Sequence, residues 1–197
     1  MKVVVMINIA VFASHNGSNL QAVINGCKEG KISGRVALVI SNNPDAFALQ
    51  RAKNAAIPAF CLNKKSMGEK LDEATFKLLA EHRADLIFLA GYLKKLPPCI
   101  LHGYKDRIYN IHPALLPKFG GKGMFGMNVH KAVIAAGEDF SGATIHRVSG
   151  EYDTGEIVSQ ATVPVMKDDT PETLAKRVLE AEHELIVRSL AEIVKTI

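Results

Sequence analysis

Three cysteines in 197 residues, Cys27, Cys61 and Cys99, are too few, too odd in number and too widely spaced for a disulfide framework or a zinc knuckle. They read as reduced thiols. Long apolar runs are also missing: Val3 to Ala13 gives way to the polar Ser14-His-Asn-Gly well short of the roughly 20 residues a membrane span needs. The run carries no small-residue cleavage pattern either, so a soluble cytoplasmic protein with no membrane partner is expected. No block of one charge appears. The 24 Lys and Arg are interleaved with 20 Asp and Glu, and a net charge of +4 without a basic patch implies no nucleic-acid partner. A modest positive field still favours small anionic substrates. There is no dinucleotide fingerprint, Walker loop or nucleophile-elbow serine, and no HExxH accompanies Glu182-His183, whose side chains would point about 100° apart on a helix, so no metal is expected.

With 48% hydrophobic residues, no low-complexity tract, linker or repeat, the chain reads as one globular domain able to bury roughly 70% of its unfolded surface. Short apolar runs at Met6 to Phe12, Val36 to Ile40, Ile57 to Leu62 and Leu86 to Ala90 are bounded by turn residues and read as buried strands. Helical stretches alternate with them at Leu20 to Cys27, at Ala46 to Ala56 with Asn43 as cap and Pro44 in the first turn, and at Glu69 to His82. That alternation predicts a doubly wound, Rossmann-like parallel half over residues 1–105. Residues 106–197 read as its continuation into a mixed sheet, with strands at Arg107 to Ile111, Ala143 to Val148 and Glu156 to Val165 and a short helix at Val129 to Ala136. The last two strands could form a hairpin. A final helix starts with Thr170 as cap and Pro171 in the first turn, and Leu174, Val178, Ala181 and Leu185 form its apolar stripe.

Two segments could carry chemistry. In Asn110-Ile-His-Pro, alternation puts Asn110 and His112 on one strand face, and Pro113 ends regular pairing. An amide donor beside an imidazole suits a carbonyl oxygen that gains negative charge, although the same pair also occurs in ordinary turns. Ser14-His-Asn-Gly-Ser-Asn-Leu20 follows the first strand and opens the first helix, where free N–H groups and the dipole favour a phosphate. A plain helix cap with Gly17 in the turn fits those residues too. Asp153, in a loop after the strand of His146, becomes a partner for His112 only if the fold brings them together; a carboxylate there would keep the imidazole protonated. His146 alternates with apolar neighbours and reads as a core histidine. The glycines and methionines of Gly120 to Met127 suggest a mobile loop, close enough to His112 to act as a lid.

Taken together, Asn16-Gly-Ser-Asn-Leu20, Leu89-Ala-Gly-Tyr92, Asn110-Ile-His-Pro-Ala-Leu-Leu-Pro117 and the His146 to Gly155 segment resemble the folate-dependent phosphoribosylglycinamide formyltransferase family over nearly the whole chain. The resemblance implies transfer of a formyl group from 10-formyltetrahydrofolate to the amine of glycinamide ribonucleotide, in purine biosynthesis, by a monomer or homodimer. It implies Asn110 and protonated His112 as oxyanion stabilisers with Asp153 supporting His112. Gly17, Ser18 and Asn19 would hold the ribonucleotide phosphate, and Glu182 its ribose. Leu93, Lys94, Lys95 and Leu96, together with Asn110, Ser149, Gly150, Glu151, Tyr152 and Asp153, would cradle the folate. The chain departs from the family pattern at His15, where glycine is common, in the longer loop after Pro117, and in lacking an arginine around Lys64 to Lys70. Hydrolysis of the formyl folate, another amine acceptor, or a binding module without catalysis are the alternatives.

Overall fold

The computed structural model describes residues 6–197, so Val3 to Val5 of the opening apolar run lie outside the described residues. One seven-stranded sheet organises the chain in the order β3-β2-β1-β4-β5-β6-β7. Strands β1 (Ile7–Phe12), β2 (Gly34–Ser41), β3 (Ala59–Cys61), β4 (Leu86–Leu89) and β5 (Ile108–His112) pair in parallel. Strands β6 (Phe140–Arg147) and β7 (Ile157–Pro164) run antiparallel, and form the expected hairpin. The result is a single α/β domain with a mixed sheet, and the parallel part extends through β5.

The apolar runs are continuous where helices cover both faces of the sheet. Strand β4 is buried at every residue, while edge strand β7 is mostly exposed or half-buried. On one face, α1 (Ser18–Lys28) and α7 (Pro171–Ile193) pack Leu20, Val23, Leu185 and Leu190 against Ile9, Val11 and Phe88. On the other, α4 (Leu71–Glu81) and α5 (Pro98–Gly103) bring Leu79 and Ile100 onto Phe12, Ile87 and Ile108. A third cluster joins α6 (Met127–Ala135) to α7 through Val129, Val133, Leu174 and Val178.

Helix α7 begins as its sequence predicts: Thr170 and Thr173 form a reciprocal capping box and Pro171 occupies the first turn. Three expectations change. Helix α2 (Phe47–Asn54) starts at Phe47 with Ala46 at its N-cap, because Asn43 is engaged elsewhere: its Oδ1 accepts from the Asp45 N–H at 3.1 Å and its Nδ2 donates to the Ser14 carbonyl at 3.2 Å. The stretch predicted as one helix over Glu69 to His82 has a preceding turn of helix, α3 (Lys64–Met67), and a 3-10 turn at Gly68–Lys70 before α4. Helix α5, too short to show periodicity, was not foreseen.

Candidate active site

The order of winding reverses between β1 and β4, which run parallel: the chain winds outward to β2 and β3, then returns to continue with β4 and β5. In such sheets the loops leaving the two strands at the switch point diverge and open a crevice at their carboxyl ends. Here the crevice is a cavity of about 650 Å³. The loops that form it are tied together, since the Ser14 N–H donates to the Gly91 carbonyl at 3.1 Å and the Leu93 N–H donates to Ser14 Oγ at 2.9 Å.

Gly17 sits at the N-cap of α1 with φ 73 and ψ 29, a left-handed conformation that a side chain resists, and a Cβ there would lie 2.7 Å from that of Ala48. No side chain caps α1. The first-turn N–H groups of Ser18, Asn19 and Leu20, which have no intrahelical acceptor, are therefore available to an anion. Glu182 reaches the same end of the cavity from α7, with Oε1 3.4 Å from Asn19 Nδ2. Burial pushes its carboxyl up to about 7, against the lowering effect of the Asn19 hydrogen bond.

At the centre, β5 presents Asn110 and His112 to the cavity, as alternation requires, and Asp153 arrives from the β6–β7 loop. Oδ2 of Asp153 lies 3.5 Å from His112 Nδ1 and accepts from the Gly121 N–H at 2.9 Å. The other imidazole nitrogen, Nε2, donates to the Phe119 carbonyl at 2.8 Å. Phe119 and Asp153 both have φ 56, a conformation uncommon for residues with side chains, and both bear directly on His112. Burial lowers the His112 pKa despite the raising influence of Asp153 and the Phe119 carbonyl. The expectation that Asp153 keeps His112 protonated is thus corrected: removal from water outweighs one carboxylate. Burial would raise Asp153 itself, but the neighbouring His146 and His112 rings and the Gly121 N–H hold its carboxyl below the ordinary value.

His146, read from sequence as a core histidine, is 2% exposed and also part of this group. It pairs with Asn110 across the β5–β6 ladder. With Nδ1–H donating to the Arg147 carbonyl at 3.2 Å, Nε2 is left to accept from Asn110 Nδ2 at 3.0 Å. The second Asn110 N–H makes only a 3.4 Å contact with Asp153 Oδ1. The amide is therefore oriented with its donor toward the carboxylate, and the longer bond can yield to a more negative acceptor. Gly155 permits this packing, since a Cβ there would run into the Arg147 carbonyl oxygen. Below His112, the buried Thr144 hydroxyl donates to Ala114 O at 2.6 Å and accepts from Leu116 N at 3.0 Å and Gln160 Nε2 at 2.9 Å. These bonds fix the chain as it leaves β5.

Leu93, Lys94, Lys95 and Leu96 line the remaining wall with Gly150, Glu151 and Tyr152. Lys95 bridges to Glu151 at 2.9 Å and lies 5.2 Å from the centre of the Tyr152 ring. Ser149 does not line the cavity; its hydroxyl pairs with that of Thr154 at 3.0 Å. Gly121 to Gly126 do, as does His15. Among the described residues no three His, Cys, Asp or Glu side chains come together as metal ligands, and no helix is long and apolar enough to cross a membrane.

The family model described as formyl transferase matches residues 7–190. A relative from Arabidopsis thaliana described as a chloroplastic phosphoribosylglycinamide formyltransferase is 44% identical over 188 residues, which are 94% of this chain and 64% of that protein. The chain thus spans less than two thirds of that plant relative. The phosphoribosylglycinamide formyltransferase of Haemophilus influenzae is 41% identical over 182 residues, 91% of this chain and 84% of the relative. The solved structure of glycinamide ribonucleotide transformylase 1 from Symbiobacterium toebii superposes with a TM-score of 0.90 at 37% identity, covering 97% of this chain and 89% of that one. With the family model matched across both the phosphate-suited loop and the Asn110, His112 and Asp153 cluster, this chain belongs to the formyl transferase family.

Proposed function

We propose that the chain transfers the formyl group of 10-formyltetrahydrofolate to the amine of glycinamide ribonucleotide, giving formylglycinamide ribonucleotide and tetrahydrofolate in purine biosynthesis. The observation that carries this reading is one cavity with three chemically distinct regions: an anion-suited helix start at Gly17, Ser18 and Asn19, an amide–imidazole–carboxylate cluster at its centre, and a wall from Leu93 to Leu96 facing the 150–153 loop. The names of the relatives support the acceptor. In domain terms, residues 1–105 supply the phosphate end and residues 106–197 the catalytic groups, with the folate wall drawn from both.

The first-turn N–H groups of α1 hold the phosphate, and Glu182 receives the ribose hydroxyls. The folate derivative supplies the formyl carbon, and its flat ring system fits the wall of Leu93, Lys94, Lys95, Leu96, Gly150, Glu151 and Tyr152. Asn110 turns its weakly held N–H from Asp153 to the formyl oxygen as negative charge collects there. His112, anchored through Nε2 on Phe119, titrates at Nδ1, between Asp153 and the cavity. Its lowered pKa makes it a ready proton donor once charged, while the nearby carboxylate stabilises the cation. Asp153 accepts the proton the amine loses and passes it to His112 Nδ1, which delivers it to the folate nitrogen as the bond from that nitrogen to the formyl carbon breaks. The nucleophile is the substrate amine, so no nucleophilic side chain is required. The protein works in the cytoplasm as a monomer or homodimer, without metal, nucleic acid or membrane.

Measuring tetrahydrofolate release with and without glycinamide ribonucleotide tests the assignment. Release that depends on the ribonucleotide supports it. Equal release without any amine means that water is the acceptor and the chain is a hydrolase.

A further inference from the structure

Three successive carbonyls of the loop before α1 are each held by a donor from the segment that follows β2. Ser14 O accepts from Asn43 Nδ2 at 3.2 Å, His15 O from the Ala48 N–H at 3.1 Å, and Asn16 O from Arg51 Nε at 2.8 Å. In a planar trans peptide the carbonyl and the following N–H point to opposite sides. Holding the carbonyls of residues 14, 15 and 16 against the 43–51 segment therefore turns the N–H groups of His15, Asn16 and Gly17 away from it. Consecutive N–H groups displayed in this way form an anion-binding concavity, continuous here with the free first turn of α1. A carbonyl rotated into that concavity would replace a donor by a partial negative charge and repel a phosphate.

Of the three holding groups, Arg51 does most. Its guanidinium also donates through Nη2 to Asn16 Oδ1 at 3.1 Å and through Nη1 to Gln21 Oε1 at 3.3 Å, and its carbon lies 5.0 Å from the centre of the Phe47 ring. One side chain thus clamps the backbone and side chain of Asn16 and reaches the first turns of α1. Ala48, one helical turn earlier on the same face, packs against Gly17 and sets how closely α2 approaches.

We propose that Arg51 is a positioning residue for phosphate binding: its planar fork fixes the Asn16–Gly17 peptide so that the loop presents N–H groups, and not carbonyls, to the ribonucleotide phosphate. This deepens the proposed function and rests on it for the identity of the ribonucleotide, but the phosphate concavity stands on the loop geometry alone. A lysine cannot replace the fork, because an ammonium is a point charge that cannot hold Asn16 O, Asn16 Oδ1 and Gln21 Oε1 in one plane.

Arg51→Met and Arg51→Lys, each with its melting temperature recorded, would be compared with the parent chain in two measurements. The first is direct binding of inorganic phosphate and of ribose 5-phosphate by calorimetry. The second is KM for each of the two substrates. Both variants are expected to weaken phosphate binding and raise KM for the ribonucleotide on the order of tenfold, as the loss of a charge-assisted clamp implies, while KM for the formyl folate stays within about twofold. Full rescue by lysine overturns the proposal, because bulk charge would then suffice. Equal changes in both KM values, or none in either, overturn it as well, as does a parent chain that binds no phosphate. If the parent chain binds phosphate in an Arg51-dependent way yet transfers no formyl group, the positioning role stands and the proposed function falls.

Discussion

His112 Nδ1 and Asp153 Oδ2 lie 3.5 Å apart, in a pair whose partners are 5% and 10% exposed and brought together across 40 intervening residues by the β6–β7 loop. That distance is long for a hydrogen bond but short enough for each charge to be felt by the other. Burial lowers the His112 pKa and Asp153 opposes the change. Replacing Asp153 by Asn removes the opposing charge, so His112 falls further below its ordinary value. Following the imidazole ring protons by NMR against pH would detect this; an unchanged or higher pKa in Asp153→Asn contradicts the assigned electrostatics. Turnover should drop on the order of a hundred- to ten-thousand-fold, the range for loss of general acid–base assistance.

Glu182 is predicted to make stability depend on pH. Its carboxyl ordinarily titrates near 4.5 and is pushed up to about 7 by burial. Between these values the folded chain keeps a proton that the unfolded chain releases. Its contribution is therefore complete below about pH 4.5 and lost as pH rises through about 7, amounting to ~3 kcal/mol by linkage. Glu182→Gln keeps the shape and cannot ionise, so urea unfolding across this interval should give a flatter stability profile than the parent. Parallel profiles would remove the basis for this effect.

Thr144→Val deletes a hydroxyl that serves Ala114, Leu116 and Gln160 at once. The isosteric methyl leaves buried polar partners unpaired, and a loss of about 1–3 kcal/mol is expected from thermal or denaturant unfolding. Because the loop it fixes follows His112 directly, turnover should fall while the far strands keep their hydrogen-exchange protection. Wild-type stability in this variant would mean that water or a shifted backbone replaces the hydroxyl.

His146→Ala removes the acceptor that orients the Asn110 amide. Steady-state kinetics should give a kcat lowered on the order of ten- to a hundredfold with both KM values little changed, since the loss falls on charge stabilisation and not on binding. A rise in KM with unaltered kcat would instead make His146 part of a binding wall.

Much of this site was legible in the chain. The i, i+2 spacing of Asn110 and His112 survives folding intact, because a strand enforces it, and Ser14 to Asn19 lie between the first strand and the first helix, as read from the chain. Thr170-Pro171 announced the last helix through local chemistry alone. His146 is the buried, hydrogen-bonded core histidine that its apolar neighbours implied; its second relationship, the pairing with Asn110 across β5 and β6, has no signal in the chain. Asn43 failed as a helix cap for a related reason. Its Oδ1 accepts from the Asp45 N–H in a local turn ahead of the helix, while the Ser14 carbonyl, 29 residues away, holds its Nδ2. The proton state of His112 depends on burial set by the whole fold, whereas the longer loop after Pro117 lines the cavity near His112, as its closeness in sequence suggested.

The central claim is that the amine of a phosphorylated glycinamide riboside, and not water, receives the formyl group. Incubating the chain with glycinamide ribonucleotide and a formyl folate carrying an isotopically labelled formyl carbon, then analysing products by mass spectrometry, tests it most directly. The label is predicted to appear on the ribonucleotide amine in step with tetrahydrofolate release, and to be lost together with it in His112→Ala. Label recovered as free formate, at a rate indifferent to the ribonucleotide, would contradict the account.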